Sequence, residues 1–251
     1  MIWTLWKREV DAYFSSPLAY VLIGLFSLIS GVIFFNLLVT YTDGIQAIPQ
    51  HMTQDISFVE EVVVRLFANM NFLFLMFIPL ITMKLFSEEK RLETLDLYWL
   101  SPVSDWQLVL AKGLAALVLI LSMLAMTGIF PLIIWGAGIK DISVIWPAYL
   151  SLVLNASAYI SLGLFCSSLS NNQIIAALLS VLGIMFMWMI TWGSHLNSNY
   201  IVSEIFLYIG ISSHFEKLVR GIIGTQDIVY YLSFVLIFGF LTVKSLGRRN
   251  W

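Results

Sequence analysis

Apolar runs long enough to cross a bilayer constrain this chain more than anything else in it. A helix needs about 20 mostly apolar residues to traverse a hydrocarbon core about 30 Å thick. The stretches at roughly 18–40, 66–83, 108–132, 147–168 and 174–193 meet that need, and a shorter one at 228–243 continues through aromatic and small residues. No soluble core could absorb so much apolar surface. Of the 251 residues, 60% are hydrophobic and 11% charged, whereas soluble domains carry about 25% charged residues. This composition excludes an ordinary soluble enzyme, a disordered chain and a nucleic-acid binder. The net charge of −2 provides no basic field for phosphates. Cys166 is the only cysteine, so neither an internal disulfide nor a cysteine-based metal cluster can form. The expected fold is all-α and polytopic, one membrane domain over 1–251 with six transmembrane helices.

Charge sets the count and the sidedness. Tyr200 to Ile211 is too short to span, carries Glu204, and reads as a re-entrant or interfacial element. With six spans both termini share one side with the 84–107 loop. That side holds Lys7, Arg8, Lys84, Lys90, Arg91, Lys112, Lys244, Arg248 and Arg249, nine of the 13 basic residues. The other side keeps Arg65, Lys140, Lys217 and Arg220. The positive-inside rule then puts both termini in the cytoplasm and the protein in the cytoplasmic membrane. A seventh span at 200–211 would send the basic C-terminus outside. Trp3, Trp6, Trp99, Trp106 and Trp251 fall at the cytoplasmic edges and Trp135, Trp146, Trp188 and Trp192 at the outer ones, where indole rings favour the headgroup zone. The first apolar run is too long for a cleaved signal peptide and no small-x-small site follows it.

Two cytoplasmic segments stand out. In 1–17, Trp3, Trp6, Val10, Tyr13 and Phe14 share one helical arc, with Thr4, Lys7, Arg8, Asp11 and Ser15 on the adjoining one, before Pro17 interrupts. A basic, aromatic-faced helix of this kind lies in the membrane interface, as an anchor for the first span or as an elbow that also touches a partner. In 84–107, Glu88, Glu89, Lys90, Arg91, Glu93 and Asp96 are too charge-dense for lipid. Ser87 is placed to cap a helix over 88–96, and Asp105 to open the next helix. The loop reads either as a solvated hairpin or as a docking element.

Three blocks of residues carry a family resemblance. Ser87-Glu88-Glu89-Lys90-Arg91 through Thr94-Leu95-Asp96-Leu97, then Ser101-Pro102-Val103-Ser104-Asp105-Trp106 and Ala111-Lys112-Gly113, resembles the loop between the second and third spans of ABC-2 type permeases. Lys7-Arg8-Glu9-Val10 through Tyr13-Phe14-Ser15-Ser16-Pro17 is similar to the start of the GldF/NosY-like branch. Ser213-His214-Phe215-Glu216 with Arg220-Gly221 and Asp227-Ile228-Val229-Tyr230-Tyr231 resembles that branch's last outer segment. Glu93 departs from the branch, which usually has a Gly-Thr pair there, and Tyr98-Trp99 replaces a more aliphatic stretch.

The resemblance implies an exporter membrane subunit with no cofactor of its own, worked by a separate ATP-binding subunit that holds ATP and Mg. Its partners would be that subunit, a second permease copy or related permease, and membrane lipid, with no nucleic acid. Glu88, Glu89, Lys90, Arg91, Glu93, Thr94 and Asp96 would form the coupling element. Trp3, Trp6, Lys7, Arg8, Tyr13 and Phe14 would form the elbow. Segment 194–227 would fold as short helices dipping into the outer leaflet, with Glu204, His214, Glu216 and Arg220 its important polar residues and Glu216–Arg220 an i, i+4 pair. A rival class is a mechanotransmitter that passes ATPase motion to an outer accessory protein and moves no cargo.

The residues themselves offer no catalytic centre. None of the 15 glycines begins a Gly-x-x-x-x-Gly-Lys-Ser/Thr loop. His51, His195 and His214 lack metal-ligand spacing, and Met185, Met187 and Met189 alternate in a way that suits apolar packing better than copper. Ser157 and Ser161 suit close helix packing, Lys112 is expected to snorkel to the cytoplasmic surface, and Asn155 reads as helix glue or a substrate contact. One topological outcome follows from the basic split. In a Cys166→Ala background, Ser198→Cys should react with an impermeant thiol reagent in sealed cells, and Ser104→Cys only after permeabilisation. Equal reaction of the two would refute the sidedness.

Overall fold

The computed structural model describes residues 2–47, 58–94, 103–136, 143–196 and 200–247. Helix α1 (Ile2–Phe14) is followed after two residues by α2 (Pro17–Ala47), with Pro17 at the helix start, where its missing N–H costs nothing. A π-helical turn over Val59–Val64 leads into α3 (Arg65–Thr82), and Met83 separates α3 from α4 (Lys84–Arg91). Next come α5 (Asp105–Thr127), α6 (Ile129–Gly136), α7 (Ile145–Leu169) and α8 (Gln173–Leu196). The short helices α9 (Tyr200–Ile209) and α10 (Ile211–Val219) precede α11 (Thr225–Leu246). Among the described residues, 6 helical stretches are long and apolar enough to cross a membrane. Tyr200–Ile209 is not one of them.

Helix α7 is the hub. Its most apolar window is 72% buried within the protein, against 22% for α8 and for α11. Small side chains make this possible, since apolar side chains gain nothing by leaving lipid and helices must associate through close packing. Ser151, Ala156, Ser161, Gly163 and Ser167 are all buried on α7. At Gly163 a Cβ would lie 2.9 Å from the Thr82 Cβ, so α3 and α7 meet backbone to side chain there. Ser151 and Ser161 each donate to a carbonyl of their own helix, Ala148 and Ala158, both at 2.7 Å. The Asn155 amide donates to the Asn71 side-chain carbonyl of α3. Asn155 therefore acts as helix glue. The lipid-facing surface is apolar, with Val32 and Phe35 on α2, Ile174, Leu178 and Leu182 on α8 and Leu236 on α11 all exposed.

The segment after α3 differs from the expected helix over 88–96. The helix starts at Lys84, so Ser87 is an interior residue whose hydroxyl donates to the Met83 carbonyl, and it caps nothing. It stops at Arg91, with Lys90 and Arg91 favourably placed against the helix C-terminus. The Thr94 N–H reaches the Glu89 carbonyl at 3.0 Å and the Glu93 N–H reaches Lys90 at 3.3 Å, a Schellman ending. Glu93 takes the left-handed position at φ 54°, where glycine is the unstrained choice. Asp96 and Trp99 lie outside the described residues. Helix α5 opens as expected, with the Ser104 hydroxyl accepting from the Gln107 N–H and Gln107 reaching back to the Ser104 N–H.

Gly163→Val should lower the unfolding free energy by about 1–3 kcal/mol through overpacking against Thr82. Gly24→Ala on α2, where a Cβ meets nothing within 4 Å, should leave it unchanged. Thermal unfolding in detergent compares the two.

Candidate functional site

Helices α1, α4 and α5 converge at one end of the bundle on a buried cation. The Lys112 side chain of α5 is only 2% exposed. Its ammonium lies 2.7 Å from Glu89 Oε1 on α4 and 3.3 Å from Glu9 Oε2 on α1. It also sits 5.4 Å from the centre of the Phe86 ring. The expectation that Lys112 snorkels to the surface is thus wrong. Two carboxylates brought by other helices replace water as its partners, and only such pairing makes burial of a charge tolerable.

The same end is tied together by further polar contacts. Tyr13 is buried and its hydroxyl donates to the Ile81 carbonyl at 3.1 Å, while Lys84 Nζ lies 5.2 Å from the centre of its ring. Burial, with Glu9 beside it, pushes the Tyr13 phenol above its ordinary pKa, so it stays a donor. The Ser167 hydroxyl of α7 accepts from the Phe86 and Ser87 N–H groups and donates to the Met83 carbonyl, bridging the break between α3 and α4. Lys90 donates to the Ser168 carbonyl, which Ser245 of α11 also reaches at 3.2 Å. Arg8, Glu9, Tyr13, Lys84, Glu88 and Leu92 border a cleft of about 360 Å³ above this floor. Trp3 is exposed and stacks on Trp6 at 4.5 Å, Phe14 packs partly buried on the core, and Lys7 and Arg8 stay exposed.

At the opposite end, α9 runs back along α8. Ser203 donates to the Ser194 carbonyl at 3.0 Å, Phe206 lies against Gly193, and Gly210 closes on Thr191. The chain therefore re-enters the bundle by several residues before reversing at Gly210. Backbone carbonyls freed at that reversal need donors, because lipid supplies none. Ser213 donates to the Leu207 and Gly210 carbonyls, His214 to Tyr208, Tyr230 to Ile209 and Tyr231 to Ile211. His214 in turn lies 2.6 Å from the buried Asp227.

A family model described as ABC-2 family transporter protein matches residues 4–246. The chain belongs to the ABC-2 transporter family. No curated protein matches it. As an ABC-2 permease it is a multi-pass membrane protein with a transport role, built on an all-α fold with six membrane-spanning helices. Among the described residues no three His, Cys, Asp or Glu side chains are grouped to hold a metal ion.

The permease's sequence-singled residues fall into separate places. Glu89 and Tyr13 meet at the Lys112 end, as do Glu88 and Arg8 across the cleft, whereas Arg91 and Glu93 are exposed at the tip of α4. Thr94 turns back to the Glu89 carbonyl. The expected Glu216–Arg220 pair does not form. Arg220 is the C-cap of α10 and reaches Glu60 at 3.4 Å, both side chains about half exposed, while Glu216 is exposed. Glu204 lines an open cleft beside His214. Glu9, Lys112, Ser167 and Asn71 were not singled out as site residues. Lys112 should carry the largest effect. Removing its charge leaves two partly buried carboxylates facing each other, so Lys112→Met should destabilise the protein by up to about 3 kcal/mol. Glu9→Gln, farther from the ammonium, should cost less in the same denaturation measurement.

Proposed function

We propose that this permease is the membrane subunit of an ATP-driven exporter of the GldF/NosY-like branch, worked by a separate ATP-binding subunit docked on the tip of α4 and the neighbouring cleft. In this reading the α1 end is cytoplasmic, 1–17 is the elbow helix along the inner surface, 84–107 is the coupling loop and 194–227 the outer segment. Two permeases, identical or related, would pair in the cytoplasmic membrane over two ATP-binding subunits.

The Glu9–Lys112–Glu89 triad carries the reading. Force applied to α4 passes through Lys112 to α5 and through Glu9 to α1, and the Ser167 and Ser168 contacts pass it to α7. A solvated hairpin would not need a buried charge network beneath it. Lys7, Arg8, Lys84, Lys90, Arg91, Lys112 and Lys244 gather at that end, which supports a cytoplasmic placement.

Because Glu89 is committed to Lys112, docking is tested at Glu88 and Glu93. Glu88→Lys with Glu93→Lys should leave membrane insertion and thermal unfolding intact. Binding to an ATP-binding subunit co-expressed from the neighbouring coding sequence should weaken at least about tenfold, since like charges meeting at an interface cost several kcal/mol. Glu216→Lys, at the other end, is the control. Unchanged co-purification of the double variant would sink the docking assignment.

A further inference from the structure

Helices α5 and α11 both pack on α7, and between them an apolar slot of about 140 Å³ opens beside the exposed Leu110, Leu114 and Leu236. Two glycines shape it. A Cβ at Gly113 of α5 would lie 3.3 Å from Leu164 Cδ1 of α7, and one at Gly239 of α11 would lie 3.3 Å from the Trp106 ring. Along α5 the lining runs from Trp106, a headgroup-zone residue, to Leu117, about 16 Å at 1.5 Å per residue. That is the depth of one leaflet, half of a hydrocarbon core about 30 Å thick. The hydroxyls in the lining spend their hydrogens within α7, Ser157 on the Val153 carbonyl at 2.5 Å and Ser161 on Ala158 at 2.7 Å. An apolar cavity of about 150 Å³ stays dry and takes up apolar ligands. A helix, about 10 Å across with its side chains, is too wide to enter this one.

A cation stands beyond the Trp106 end of the slot. Leu236, Phe240 and Lys244 form one i, i+4 ridge of α11, of which Leu236 lines the slot. Lys244 lies about 7.5 Å beyond Gly239 along the helix axis, at headgroup level. It is exposed, its ammonium is 5.6 Å from the centre of the Phe240 ring, and no carboxylate among the described residues pairs with it. Glu9 and Glu89 are held by Lys112. Asp105, at the mouth, sits in the first turn of α5, where the helix N-terminus offsets its charge. Lys90 adds a positive charge to this corner, since it and Ser245 of α11 both reach the Ser168 carbonyl. We propose that the slot holds one acyl chain of a membrane phospholipid whose phosphate is met by Lys244. Headgroups with a net negative charge are preferred, because a zwitterionic lipid brings an ammonium of its own. Such a lipid fits in either leaflet, so the site stands whichever side the α1 end faces.

The test uses the full chain in nanodiscs of equal phosphatidylglycerol and phosphatidylcholine, with a trace of one or the other carrying a photoactivatable diazirine on its acyl chain. Peptide mass spectrometry gives the ratio of phosphatidylglycerol to phosphatidylcholine labelling at each segment. Helix α8, whose exposed Leu178 and Leu182 sample bulk lipid, is the reference. In the parent the ratio at the slot should be about fivefold that at α8, the equivalent of one cation near anionic lipid. Ser157→Leu and Val235→Phe each fill the slot, and either should bring the ratio down to the α8 value. Lys244→Gln, an exposed change that spares the packing, should do the same while the slot is still labelled. Lys217→Gln, at the other end of the bundle, should leave the fivefold preference intact. An unlabelled slot in the parent, as a second copy of the chain seated over it would give, overturns the proposal. So does a ratio equal to that at α8, or a preference that survives Lys244→Gln or a folded slot-filling variant.

Discussion

Hydrocarbon offers no hydrogen bonds, and this fold is arranged around that fact. Many of the polar groups buried in the bundle are met by a partner on another helix or on their own. Asn155 meets Asn71 across the α7–α3 contact, and the serines of α7 return to carbonyls of their own helix. Where the backbone ladder breaks, at Met83 and again at Ile209–Ile211, side chains from α7, α10 and α11 take up the freed groups. Packing follows the same logic. The most enclosed helix is the one with glycine, alanine and serine along its buried faces, not the most apolar one.

The buried lysine organises the α1 end. An ammonium there cannot be solvated by water, so α1 and α4 must each bring a carboxylate, and their positions become interdependent. The two acidic partners are 103 and 23 residues away in the chain. That ties two surface helices to α5 through one cation.

The sequence made the six spans and the short α9 legible, because a run of about 20 apolar residues is a local signal that lipid thickness alone interprets. Asp105 was equally legible as the start of α5, since a helix start needs only its neighbours, although the cap itself is Ser104. The charge partners were hidden. Nothing in the residues around Lys112 points to Glu9, and the sequence separation of 84 between Asn71 and Asn155 conceals their contact. His214 was weighed as a metal ligand and set aside on spacing, yet its role comes from Asp227, one helix later. Arg220 misled for a related reason. Its i, i+4 spacing from Glu216 assumes a helix that continues, whereas α10 ends there and Gly221 turns the chain at φ 84°.

The origin of the donors around Gly210 bears on how the protein is made. Ser213 and His214 lie just beyond the α9 carbonyls that they satisfy, but Tyr230 and Tyr231 sit on α11, which leaves the ribosome after both. Until that helix is inserted, the Ile209 and Ile211 carbonyls lack these side-chain donors. The hairpin can enter the membrane early only in an unfinished form. This end of the bundle therefore closes only once α11 is in place, and a chain interrupted before α11 carries its defect there.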